Sequence, residues 1–221
     1  MAAEPVGSLI AAGRDANVFA LGDDRILRRC RDPGYRCKRQ AEMMEWARAQ
    51  GFPVPRVFWV AGPEMVMERV DGRTMVTELL AGAIDAPTIG RQLAELLRTL
   101  HGLPVPAGTP TGHRIRHLDL HPENVLLSPH GPVVIDWSNA DFGPAGVDTA
   151  LSALILAQLA VLPGPFQDAV SPIIDALLTE ADPFSQDDLA AAVAMRSSNP
   201  TMTDAEIGAL GQAAELIRPA G

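Results

Sequence analysis

Lysine is almost missing from this 221-residue chain: Lys38 stands alone beside 17 Arg. Cysteine is as scarce, with only Cys30 and Cys37, and aromatic residues make up 5%. Two cysteines cannot staple a chain of this length and do not complete a four-ligand metal site, so free thiols in a reducing compartment are expected. Positive charge is short overall. A net charge of −9 and a pI near 5.0 argue against the basic surface that nucleic acid requires, so no nucleic-acid partner is expected. The apolar stretch Ala150–Leu162 is too short to cross a bilayer and reads as a buried helix. Met1-Ala-Ala-Glu-Pro5 has neither a basic start nor an apolar run. No signal peptide and no membrane partner are therefore expected, and the cytoplasm is the natural location. Nothing in the sequence fixes the oligomeric state.

What is present is an ordinary globular composition, 47% apolar and 20% charged. The length suits one large core or two small lobes around a cleft. Charge is uneven along the chain. Residues 1–71 carry eleven Lys and Arg against ten Asp and Glu, whereas residues 72–221 carry seven against seventeen. Such asymmetry fits one half that handles an anion and another that attracts a cation; scattered surface charge would give the same sums.

Turn signals divide the chain. Asn17–Leu21 and Arg25–Cys30 flank Gly22-Asp23-Asp24, a hairpin pattern. A helix is expected from about Tyr35 to Gln50, stopped by Gly51 with Pro53 and Pro55 beyond it. Arg56–Val60 and Met65–Val70 read as a second strand pair, and Asp71-Gly72 ends the segment. Further on, Ile89, Leu93, Leu96, Leu97 and Leu100 form one stripe of an amphipathic helix. A Pro- and Gly-rich loop, Leu103–Gly112, follows. Two short strands, Val125–Leu127 and Val133–Ile135, then precede helices to the end, with Thr203 and Glu206 as a capping box for the last. The fold class is α+β: residues 1–71 form a small β-rich lobe with one helix, and residues 72–221 a larger, mainly helical lobe.

The chemistry concentrates in His117-Leu-Asp119-Leu-His121-Pro-Glu-Asn124 and in Val133-Val-Ile-Asp136-Trp137. Three polar residues precede one apolar strand, and a carboxylate follows the next. A hairpin brings such strand ends together, so Asp119, Asn124 and Asp136 can converge. Phosphoryl transfer from ATP needs such a set: one carboxylate to take the proton of an acceptor hydroxyl, another with an amide oxygen to hold Mg²⁺. The Asp119-to-Asn124 spacing matches the catalytic loop H-R-D-x-x-x-x-N, and Asp136 stands where the metal-binding Asp of D-F-G would. A zinc site built on His117, Asp119 and His121 is the competing reading, but Pro122 disfavours a continuing strand there and Asn124 would have no task.

The pattern H-x-D-x-H-P-x-N-V-L at 117–126, with I-D-W at 135–137, resembles the aminoglycoside phosphotransferase and choline-kinase-like family, over roughly residues 8–155. The resemblance implies a two-lobed protein-kinase-like fold and a small-molecule kinase that uses ATP and Mg²⁺ on a small hydroxyl-bearing acceptor. It implies that Asp119 is the catalytic base and that Asn124 and Asp136 are metal ligands. His117 would support the loop backbone, and Asp148 would brace the loop from the following helix. His121 is open between a packed loop residue and a catalytic helper.

On the nucleotide side the resemblance implies a phosphate-covering loop at Ala12–Asn17, which here holds one glycine. It implies a phosphate-anchoring Lys on the third strand, where Arg28 stands, with Glu42 as its helix partner. Arg is a planar fork rather than a point charge, yet it still holds phosphate bidentately. Arg29 is the alternative, since a one-residue shift reverses the face. Met65–Gly72 resembles the segment that binds adenine through backbone groups around Glu68 to Val70. Neither a Walker A loop nor G-x-G-x-x-G is present. The acidic second half suits a cationic acceptor such as an aminoglycoside or amino alcohol. The Arg28 departure and the thin glycine loop keep open a pseudokinase that binds nucleotide or a partner without transfer.

Overall fold

Residues 6–13, 15–34, 37–164 and 167–219 are described by a computed structural model of the chain. Arg14 of the expected phosphate-covering loop, and Tyr35 and Arg36 at the expected helix start, lie outside the described residues. The chain divides into two compact units. The first comprises residues up to Gly72 together with Leu126–Ser138, and the second Arg73–Val125 with Asn139 onward.

The first unit is built on strands β1 (Leu9–Ala12), β2 (Ala16–Leu21), β3 (Arg25–Cys30), β4 (Val57–Ala61) and β5 (Glu64–Glu68). They form one antiparallel sheet in the order β1-β2-β3-β5-β4. Gly22, at φ 66°, makes the β2–β3 turn that a side chain would resist. Helix α1 (Lys38–Ala49) turns Ala41, Met43, Met44 and Ala47 inward and ends before Gly51 at φ 86°.

Strands β6 (Arg73–Thr74) and β7 (His113–Arg116) and helices α2 (Met75–Leu80) and α3 (Ala86–His101) belong to the second unit. Strands β8 (Val125–Ser128) and β9 (Gly131–Val134) are neighbours in a small sheet and carry the chain back into the first. There the Val134 N–H donates to Pro53 O at 2.9 Å. Trp137, fully buried, donates from its indole to Val134 O and meets Phe52 edge-on at 5.8 Å. The aromatic anchor of I-D-W is thus core, which leaves Asp136 beside it at the surface of that core.

In the second unit every member of the α3 stripe is buried. Strand β10 (Asp141–Pro144) pairs with β7 before helix α4 (Ala145–Val161), whose residues from Val147 to Gln158 are all buried. Helices α5 (Gln167–Glu180), α6 (Gln186–Ser197), α7 (Asp204–Gly208) and α8 (Leu210–Leu216) complete it. The Thr203–Glu206 capping box is formed, but on α7 rather than on the last helix α8, and Ser185 with Asp188 makes a second on α6. Helices α3 and α5 approach closely at Gly90, where a Cβ would lie 2.3 Å from Ile173 O. Among the described residues, no helix is long and apolar enough to cross a membrane.

Candidate active site

In the second unit, the chemistry-bearing loop runs from β7 to the 3-10 turn Pro122–Asn124. Leu118 adopts φ 62°, a left-handed backbone that a bulky side chain resists. Asp148 holds it there. This carboxylate is fully buried in the first turn of α4 and accepts the N–H of His117 at 2.9 Å and of Leu118 at 2.7 Å. His101, at the end of α3, brings Nε2 within 3.0 Å of the same carboxylate. Burial alone would raise the Asp148 pKa, but the hydrogen bond and charge of His101, with the His117 N–H, hold it below the ordinary carboxylate value. An ionised carboxylate makes His101 Nε2 the donor of that bond.

Past Leu118 the loop closes on itself through Asn124. The Asn124 amide nitrogen reaches Asp119 O at 2.8 Å, Asp119 Oδ2 at 3.2 Å and His121 Nε2 at 3.1 Å. The Asn124 N–H donates to His121 O at 2.8 Å. Two amide hydrogens serve three acceptors, which fixes the amide orientation and leaves Oδ1 as the oxygen uncommitted to any described residue. The Asp119 and His121 side chains keep 24% and 20% of their exposure, so both remain reachable from solvent. His121 therefore belongs to the loop's own hydrogen-bond network.

In the first unit, Arg28 occupies the central strand β3, opposite Val18 on β2 and Met65 on β5. Its side chain is buried, and Nη2 lies 3.3 Å from Asp136 Oδ1. Asp136 adopts φ 57°, a left-handed conformation that Asp tolerates better than Leu, and Ser138 Oγ donates to the same Oδ1 at 2.7 Å. Both bonds land on Oδ1, so Oδ2 is the oxygen open to a cation. Arg29, the register alternative, faces the other way: it is exposed, bonded to Glu64 Oε1 at 2.6 Å and stacked on Phe19. The structure does not bring Glu42 to Arg28. Glu42 is exposed and pairs with Lys38 at 3.7 Å, because the buried face of α1 runs through Gln40, Ala41, Met43, Met44 and Ala47. Glu68 ends β5 with its carboxylate on the Arg56 N–H, and Val70 follows, half-buried, in the loop after it.

Asn124 Oδ1 in the second unit and Asp136 Oδ2 in the first are each, taken alone, an oxygen of the kind a hard divalent cation takes. Among the described residues, no three His, Cys, Asp or Glu side chains group as a metal-binding set, and the zinc alternative needed such a group. His101 had no sequence signal beyond being the last residue of a helix. Leu118 had none for its left-handed backbone, and Asp136 only the general tolerance of Asp for that conformation.

The sequence pattern of the phosphotransferase enzyme family (APH) matches residues 6–118 and 113–176. The chain belongs to the phosphotransferase enzyme family. No curated protein matches it by sequence. Among solved structures, this family member resembles aminoglycoside phosphotransferase APH(4)-Ia at TM-score 0.62 and 13% identity, covering 97% of this chain and 94% of that one. It resembles a choline/ethanolamine kinase family protein from Mesorhizobium loti at TM-score 0.60 and 16% identity, covering 96% and 87%. The streptomycin–ATP ternary complex of APH(2")-IIa gives TM-score 0.59 and 11% identity over 97% and 94%. At these identities the likeness is one of fold, and the fold of this phosphotransferase-family chain is protein-kinase-like.

Proposed function

We propose that this chain is an ATP-dependent small-molecule kinase that moves the γ-phosphoryl group to an acceptor hydroxyl. The observation that carries the reading is the stitched loop: a partly exposed Asp119 carboxylate, held from behind by Asn124 and by the Asp148 clamp on Leu118. A general base must be rigid and reachable at once, and Asp119 is both. Asp119 orients the acceptor hydroxyl and takes its proton. Asn124 Oδ1 and Asp136 Oδ2 are the oxygens that would hold Mg²⁺, which supplies charge neutralisation on the phosphates when bound. Arg28 holds phosphate oxygens with the fork that now reaches Asp136, and the main chain from Glu68 to Val70 takes the adenine. ATP in the APH(2")-IIa complex supports the choice of nucleotide. The surplus of acid in residues 72–221 favours a cationic acceptor, an aminoglycoside or amino alcohol.

One observation favours a second reading. The Arg28–Asp136 ion pair ties the side chain assigned to the phosphates to one assigned to the metal, which a nucleotide-binding pseudokinase without transfer would also accommodate. ADP formation from ATP, measured against a panel of amino alcohols, aminoglycosides and neutral sugars, separates the two. Acceptor-dependent turnover that Asp119→Asn lowers by about 10²- to 10⁴-fold is expected. Nucleotide binding without turnover would establish the pseudokinase, and turnover confined to neutral sugars would remove the cationic acceptor.

A further inference from the structure

The two cysteines of this chain face each other. Cys30 ends β3, Cys37 precedes α1, and their Sγ atoms lie 3.6 Å apart in a buried contact. Main-chain bonds keep them there: the Cys30 N–H donates to Pro63 O and the Cys37 N–H to Gly62 O, each at 2.9 Å. Two consecutive residues of the β4–β5 turn thus hold both sulfur-bearing residues. Cys30 Sγ has another neighbour, Arg28 Nη1 at 2.9 Å. The same guanidinium reaches Asp136 through Nη2. A thiol pair is therefore one hydrogen bond from the residue assigned to the nucleotide phosphates.

The pair is asymmetric. Cys37 is fully buried, and burial together with the Cys30 hydrogen bond pushes its thiol up to about 12. Cys30 keeps 8% of its exposure. We propose that Cys30 and Cys37 form a reversible disulfide, and that its closure takes Cys30 Sγ away from Arg28. With hydrogen peroxide as oxidant, the Cys30 sulfur attacks one peroxide oxygen and the O–O bond breaks. Water leaves and Cys30 becomes a sulfenic acid. The Cys37 sulfur then displaces hydroxide from it, and the Cys37 proton departs with that hydroxide as a second water. Two thiols are oxidised to one disulfide while the peroxide is reduced to two waters. A small disulfide does the same by exchange and leaves as two thiols.

Bonding draws the sulfurs together by roughly 1.5 Å and leaves Cys30 a poorer acceptor. Arg28 loses that anchor and keeps Asp136. The consequence for nucleotide rests on the phosphotransferase reading of Arg28; the disulfide itself does not. The test is equilibration of the full-length protein in glutathione buffers, with acid quench, alkylation and intact mass. The wild type is expected to lose two hydrogens under oxidising ratios, to map to a Cys30–Cys37 linked peptide, and to recover with dithiothreitol. Arg28→Met removes a bond made only in the reduced form, so its midpoint should shift about fivefold toward the disulfide. Arg28→Lys, which keeps the charge and a stem, should shift the same way by less. Thiols that stay unlinked, or a midpoint unmoved in both variants, overturn the proposal. Binding of a fluorescent ATP analogue then follows, with about tenfold weaker binding expected for the disulfide form. Equal affinity in both forms overturns the link to nucleotide. A reduced protein that binds no analogue sinks the phosphotransferase reading alone, because the thiol equilibrium is scored without nucleotide.

Discussion

Asp148→Asn is the substitution on which the loop architecture can be tested most sharply. The carboxylate gives two oxygens to three donors: Oδ2 takes the His117 N–H and His101 Nε2, and Oδ1 takes the Leu118 N–H. An amide keeps one oxygen. Turned toward His117 and His101, it aims its NH₂ at the Leu118 N–H, so that bond is lost and a buried donor is stranded at about 1–3 kcal/mol. The two surviving bonds lose their charge assistance, about 1 kcal/mol each. Burying an amide is easier than burying a carboxylate, which offsets part of the loss. The net is about 2–3 kcal/mol, or roughly 5–10 °C in melting temperature at this size.

The same variant has a pH signature. Because Asp148 is held below its ordinary pKa in the folded chain, its stabilisation is present above the unfolded value of about 3.9 and fades as pH falls through the lower folded value. The gap in melting temperature between wild type and variant should be full at neutral pH and close on acidification. Leu118 no longer clamped at φ 62° lets Asp119 wander, so kcat should fall more than KM rises. A variant that melts with the wild type at pH 7, or a gap that widens in acid, refutes the reasoning.

Other outcomes follow from particular contacts. Gly90→Ala places a Cβ 2.3 Å from Ile173 O and 2.7 Å from the Ala176 Cβ. It should cost about 1–3 kcal/mol in thermal melts while leaving turnover per folded molecule unchanged. Arg28→Lys cannot span Cys30 and Asp136 with one fork, so nucleotide affinity should drop about tenfold by fluorescence titration. Asn124→Ala removes the stitch to Asp119 and the uncommitted Oδ1 together, and the Mg²⁺ needed for half-maximal turnover should rise at least tenfold.

Much of the fold was legible because it obeys simple periods. The α3 stripe, the Gly22 hairpin and the Thr203–Glu206 box each need only neighbours in sequence. The β7–β10 pair was not legible: His113-Arg-Ile-Arg116 and Asp141-Phe-Gly-Pro144 are short, charged and distant, and Arg116 meets Asp141 only after folding. Glu42 was misplaced although the signal was there, since Met43, Met44 and Ala47 set the buried face of α1 and put Glu42 outside it. Asp119, Asn124 and Asp136 stand out by spacing, but the left-handed backbone of Leu118 carries no composition mark, and that of Asp136 only the general tolerance of Asp for it. Long-range contact, not local preference, imposes them.

The Asp148 clamp also orders events in time. It gathers His101 from 47 positions and the Leu118 N–H from 30 positions earlier in the chain. During synthesis, the ribosome delivers the whole 117–124 segment before the side chain that locks it. A nascent polypeptide that has not yet released α4 therefore carries the 117–124 pattern in its sequence but lacks the buried carboxylate that holds its backbone in shape.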